Sequence, residues 1–150
     1  MSAETGLRFV LRLASVVTLS AALFVFIPRP RMAAAHAWLG LGPMAAGPLP
    51  EYLARSASAL YALVGGGIWL LSTDLHAYRK LIRYYGYAHV TFGLTLLVID
   101  WWVGMPLYWR IQESPAVTAF GVAILYFQRR ITSRPSSTSR SPSASGSPTA

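Results

Sequence analysis

The chain has 150 residues, a formal net charge of +8 and 54% hydrophobic residues, with twelve Arg to one Lys and no Asn or Cys. Without cysteine there is no disulfide, thiol nucleophile or thiolate metal ligand. The basic residues gather at the ends of apolar runs and near the C-terminus, not on one polar face. That fits anionic lipid headgroups and excludes a nucleic-acid partner.

Crossing a hydrocarbon core of roughly 30 Å takes about 20 helical residues. Four stretches meet or approach that length: residues 7–27, 51–71, 81–103 and 114–131. From Leu13 to Ile27 there is not one charged residue. These runs predict an all-α integral membrane four-helix bundle over residues 1–131. The partner they imply is the lipid bilayer.

The first run is preceded by Arg8 and Arg12, and Arg12 lies where a long side chain can snorkel to the membrane surface. The same run also reads as a signal sequence, with Ala35-His36-Ala37 matching the small-x-small cleavage pattern. Against that reading, the basic Arg29 and Arg31 stand between the apolar run and the site. Pro28-Arg29-Pro30 ends the first helix, since proline removes a donor and restricts the residue before it. Residues 32–41 then form a short outer amphipathic segment, with Trp38 and Leu39 dipping into the headgroups.

The second run opens with Glu51, favourably set against the helix dipole in its first turn. Within it Ala54, Ser58, Ala62 and Gly66 recur every four residues. Lipid is as apolar as leucine, so membrane helices associate by close packing along such small-residue strips. The strip is expected to face a helix of the same chain, a second copy or a membrane-protein partner.

Ser72-Thr73-Asp74 reads as a helix cap, followed by a basic turn at Arg79, Lys80 and Arg83. The third run carries Tyr84, Tyr85 and Tyr87 near its start and Trp101 and Trp102 near its end, the two aromatic belts of a spanning helix. Gly104 and Pro106 close it, and residues 107–111 read as an interfacial segment. Ser114 and Pro115 then suit the cap and first turn of the fourth helix. From Thr132 to Ala150 the chain is rich in Ser, Pro and Arg, and the expectation is a disordered tail.

Cytoplasmic loops carry excess Lys and Arg. An N-terminus inside places Arg8, Arg79, Lys80, Arg83, Arg129, Arg130, Arg134 and Arg140 in the cytoplasm, and Arg29, Arg31, Arg55 and Arg110 outside. Eight against four predicts a multi-pass protein of the inner membrane with both termini cytoplasmic.

Charges inside spans are costly and often functional. Arg55 and Asp100 share a depth under this topology, so a charge-assisted pair is expected between them. Glu51, Arg55, Asp100, Arg110 and Glu113 all collect near the outer face and form the candidate ligand-binding cluster. Three histidines fail the requirements of a metal or haem site. His36 falls outside, and His76 and His89 would stand roughly 20 Å apart on one helix. No nucleophile–base spacing stands out, and Gly65-Gly66-Gly67 lacks the lysine of a phosphate loop. No catalytic residue, metal or cofactor is therefore assigned.

The run Ala54-Arg55-Ser56-Ala57-Ser58-Ala59-Leu60-Tyr61-Ala62-Leu63-Val64-Gly65 resembles the Arg…Tyr-Ala-Leu-x-Gly stretch of small four-helix bacterial membrane proteins of the DoxX-like kind. The resemblance implies a left-handed or splayed four-helix bundle in the inner membrane, and it carries no catalytic residue across. Taken together, the sequence points to a small membrane protein that assists, anchors or scaffolds a partner. A lipid-, quinone- or solute-binding role for the outer cluster is the alternative, and a membrane enzyme a further one.

Overall fold

The computed structural model describes residues 2–132, and every regular element among them is helical. The tail expected to be disordered lies outside the described residues, save Thr132, which closes the last helix.

The first run forms α1 (Ala3–Leu19) and α2 (Ala22–Phe26), separated by one tightened turn. Ser2 caps α1, its hydroxyl accepting from the Thr5 amide at 3.2 Å. The turn has local causes: Thr18 donates back to the Ala14 carbonyl and Ser20 to that of Val17, both at 2.7 Å. Such back-bonding competes with the helical ladder and bends it. Pro28 then starts α3 (Arg29–Trp38), on which Trp38 is 85% exposed.

α4 (Pro48–Leu71) begins at Gly47, whose φ of 101° suits glycine. α5 (Arg79–Val103) ends on Gly104 in the left-handed conformation, with Met105 N–H closing onto the Asp100 carbonyl at 2.9 Å. α6 runs unbroken from Leu107 to Thr132.

Two sequence expectations are corrected here. The segment 107–111 is not a separate interfacial piece but the first turn and a half of α6. Pro106 opens that helix, its carbonyl accepting from the amides of Trp109 and Arg110. Ser114 consequently does not cap a helix, and Pro115 lies inside one. The ring costs α6 one backbone bond, while Ser114 is buried and bonded to Asp100 across the α5–α6 contact. At the other boundary Ser72 is the C-cap of α4, and Asp74 closes the turn that follows. Its carboxylate accepts from the amides of His76 and Ala77, at 3.0 and 2.9 Å, and so caps the turn that precedes Arg79.

The long helices alternate in direction. Glu4 lies 3.8 Å from His76, and Gln128 donates to the Arg79 carbonyl, so the start of α1, the α4–α5 loop and the end of α6 share one end. At the opposite end Arg55 bonds the end of α2, and Tyr108 donates to the Leu39 carbonyl. α1 packs on α4 and α6, α6 packs on α5, and α4 scarcely touches α5.

Packing falls into two kinds. Leu7, Leu11, Ala14, Ile68 and Leu71 build an aliphatic core between α1 and α4, extended by Leu75, Ile82 and Ile124. Between α5 and α6, apart from Ile82 and Ile124, the buried positions are small or polar: Gly86, Gly93 and Asp100 face Ser114, Gly121 and Gln128. Each set repeats every seven residues, the period of left-handed helix packing. A methyl group added at Gly121 would stand 2.7 Å from the Gly86 carbonyl oxygen and from the Val90 nitrogen, so backbone meets backbone there.

Large apolar side chains, by contrast, point outward. Phe9, Leu23, Phe26, Leu63, Val98 and Trp102 are all more than half exposed. Among the described residues two helical stretches are long and apolar enough to cross a membrane, Ala3–Phe26 (α1 with α2) with mean hydropathy 2.2 and Pro48–Leu71 with 1.2. α5 and α6 match them in length. Tyrosines, His89 and Asp100 dilute the first, and Gln112, Glu113 and Gln128 the second.

Candidate functional site

The polar residues singled out from the sequence do reach one end of the molecule, yet they form separate pairs. Arg55 sits one turn above Glu51 on α4, and the two make an ion pair, Nη2 to Oε1 at 2.8 Å. The remaining donors of the guanidinium go to backbone: Nη1 donates to the Val25 carbonyl and Nη2 to that of Ile27 at 3.0 Å. Those carbonyls belong to the end of α2, where no further helical amide exists to bond them. Arg55 thus ties α4 to the first helix.

The expected Arg55–Asp100 pair is replaced by this arrangement. Asp100, only 5% exposed, accepts from the Ser114 hydroxyl at 2.7 Å. Shared depth was not enough to bring the two together, because α4 and α5 are not neighbours. Both groups found closer partners, on their own helix or on one already packed against it.

Glu113 accepts from the Trp109 indole one turn earlier on α6. Arg110 stands apart. Its guanidinium lies 4.8 Å from the centre of the Trp101 ring, and its buried Nε–H has no acceptor among the described residues. Of the five residues of the cluster, Arg110 alone has no oxygen partner there.

The small-residue strip on α4 meets its own chain over only part of its length. Ala54, Ser58 and Ala62 are half-buried, but Gly66 is exposed, and a methyl group added there would meet nothing within 4 Å. Within the chain the close approach is made by Gly65. Its carbonyl accepts from the Ser15 hydroxyl at 2.7 Å, and an added methyl would sit 2.7 Å from the Leu19 nitrogen. The reason is the helical pitch. At about 100° per residue, eleven residues bring Gly65 back to within about 20° of Ala54, whereas twelve carry Gly66 about 120° past it.

The histidines lie apart from one another. His36 bonds the Gly42 carbonyl through Nδ1 at 2.9 Å, and His76 is beside Glu4. His89, near the middle of α5, donates from Nδ1 to the Tyr85 carbonyl at 2.9 Å. Among the described residues no three or more His, Asp or Glu side chains gather as metal ligands would.

Sequence reasoning passed over the α5–α6 seam. Its signal was present in the seven-residue spacing of Gly86, Gly93 and Asp100, and again in Ser114, Gly121 and Gln128.

No family model matches the chain, and no curated protein or solved structure is significantly similar to it. The likeness to DoxX-like proteins accordingly rests on the run from Ala54 to Gly65 alone.

Proposed function

We propose that this chain is a small polytopic protein of the bacterial inner membrane, built as a four-span bundle, which assists, anchors or scaffolds a partner without catalysing a reaction. One observation carries the reading. Large aliphatic and aromatic side chains face outward along the helices, while glycine, serine and polar groups share the interior with a small aliphatic core. In water the exposed leucines and phenylalanines would be a costly surface, about 25 cal/mol for each Å² of apolar area. In lipid they cost nothing, and small residues inside are what lets helices approach.

The charge distribution supports the orientation. Arg8, Arg79, Lys80, Arg83, Arg129 and Arg130 lie at the end that holds the α4–α5 loop, while Arg29, Arg31, Arg55 and Arg110 lie at the other. The basic end then faces the cytoplasm. A non-catalytic role is favoured because Glu51, Arg55, Asp100 and Glu113 direct their hydrogen bonds to groups of the chain itself. Arg55 and Asp100 so engaged join helices, Glu51 and Glu113 bond within their own, and none presents a reacting group.

Carbonate extraction tests the membrane reading, with the chain expected to remain in the membrane pellet. Single cysteines at Gly47 and Thr73 test the orientation, with only the Gly47 site open to an impermeant reagent from outside. Purification in mild detergent tests the scaffolding role by the recovery of a stoichiometric protein partner. The second reading, a lipid-, quinone- or solute-binding protein, draws its support from Arg110, the unpartnered member of the cluster.

A further inference from the structure

Arg110 combines three properties that the other outer cations lack in combination. It is half-buried, its guanidinium is set against an aromatic face, and its hydrogen-bonding capacity is unused among the described residues. A buried donor without an acceptor is unfavourable. A planar guanidinium presents five N–H groups in a fixed fork that matches phosphate oxygens. With Nε buried and Trp101 over one face, the terminal Nη groups are what remains for a polar ligand.

The depth of the residue identifies the anion. Trp101 and Trp102 are 71% and 86% exposed at the end of α5, and Tyr108 is exposed beside Arg110 on α6. Under the membrane reading above, such rings mark the headgroup level. The negative charge present there in quantity is the phosphodiester of a phospholipid. Carboxylates of the chain do not compete, since Glu51 is bonded to Arg55, Asp100 to Ser114 and Glu113 to Trp109.

We propose that Arg110, stacked on Trp101, binds the phosphate group of one phospholipid at the outer surface of the bundle. This rests on the membrane reading, and deepens it by naming a ligand class and a residue. The site holds the lipid through charge-assisted N–H···O bonds to phosphate, and the Trp101 ring fixes the fork in place.

Native mass spectrometry of the full chain, released from micelles of a phosphate-free maltoside detergent doped with phosphatidylglycerol, tests the proposal. The wild-type chain is expected to retain one phosphatidylglycerol. Arg110→Gln is expected to lower its retention roughly tenfold, the value of one charge-assisted bond. Arg110→Lys keeps the charge but not the fork, and should fall between them. Arg29→Gln, which removes an exposed cation from the same end, should retain lipid as the wild type does. Inorganic phosphate added at millimolar level should leave the lipid bound; displacement by phosphate overturns the lipid as the natural ligand. Equal retention by the wild type and Arg110→Gln, with unchanged melting temperature, overturns the site. Equal loss in Arg29→Gln reduces it to general surface charge and overturns it too. A chain that stays soluble without detergent defeats the membrane reading itself, a result separable from every one of these.

Discussion

The two helix pairs of this molecule, α1–α4 and α5–α6, are held together by different means. α1 meets α4 through leucine and isoleucine side chains, with backbone contact confined to Ser15, Leu19 and Gly65. α5 meets α6 through backbone over about two turns, from Gly86 against Gly121 to Gly93 against Thr118, with Ile124 and Leu125 packed beside Gly86 and a hydrogen bond at each extremity. The first arrangement tolerates adjustment, because flexible side chains fill the space between axes. The second does not, since no rotamer can move a carbonyl. The chain thus places its least forgiving contact between consecutive helices joined by a short loop, where connectivity already brings them near.

The largest effect should come from breaking the rigid seam. Gly121→Val sets a branched side chain where even a methyl carbon would stand 2.7 Å from the Gly86 oxygen and the Val90 nitrogen. The helices must part, and a loss of about 3 kcal/mol is expected, at the upper end of ordinary overpacking. Steric-trapping or detergent-denaturation measurements on the purified chain would read it. A variant as stable as wild type would show that α5 and α6 do not lie at this separation. Gly65→Ala probes the softer pair and should cost less, about 1–2 kcal/mol, since only one added methyl has to be absorbed near Leu19 and Ser15.

Smaller effects follow from the polar ends of the seam. Ser114→Ala removes the hydroxyl that donates to Asp100, and under the proposed membrane reading the loss of such a bond should cost about 0.6 kcal/mol. In the α4–α5 loop, the amides of Ala77 and then His76 hold the Asp74 carboxyl below the ordinary aspartate range. A carboxylate with a lowered folded-state pKa adds stability that is full above its unfolded pKa. That stability is lost as pH falls through the folded value. The loop of Asp74→Ala should therefore be less protected near neutrality, and the difference from wild type should vanish in acid. Amide exchange at His76 and Ala77, followed against pH, is the measurement.

How far the sequence was legible follows the same division. Helix positions emerged from the apolar runs, because length and the lack of charge mark a buried or lipid-facing segment whatever its neighbours are. α4 and α5 begin within three residues of the expected starts at Glu51 and Leu81. Neighbour relations did not emerge. Arg55 and Asp100 share a depth in any up-and-down arrangement, but depth is one coordinate, and which helices touch is another. The start of α6 was misplaced because Pro115 carries a strong boundary signal, whereas Pro106 supplies the actual one. The polar cluster was correctly gathered at one end and wrongly joined, since local partners such as Glu51 for Arg55 need no tertiary geometry at all.

The finest test of the comparison lies in two adjacent glycines. Gly66→Ala adds a methyl group where nothing stands within 4 Å, on an exposed face of α4. Alanine is the better helix former by roughly 0.8–1.0 kcal/mol, so the variant should be as stable as wild type or slightly more so. Gly65→Ala, one residue earlier, gains the same propensity yet should be destabilised, because its methyl meets the Leu19 nitrogen and the Ser15 carbonyl oxygen. Both changes have the same chemistry and nearly the same depth, so their difference isolates the helix contact from everything else. Opposite signs in a parallel denaturation experiment place α1 against Gly65. Equal losses at both positions would instead mean that Gly66 is covered, by a second copy or by a partner packed on the outer face of α4.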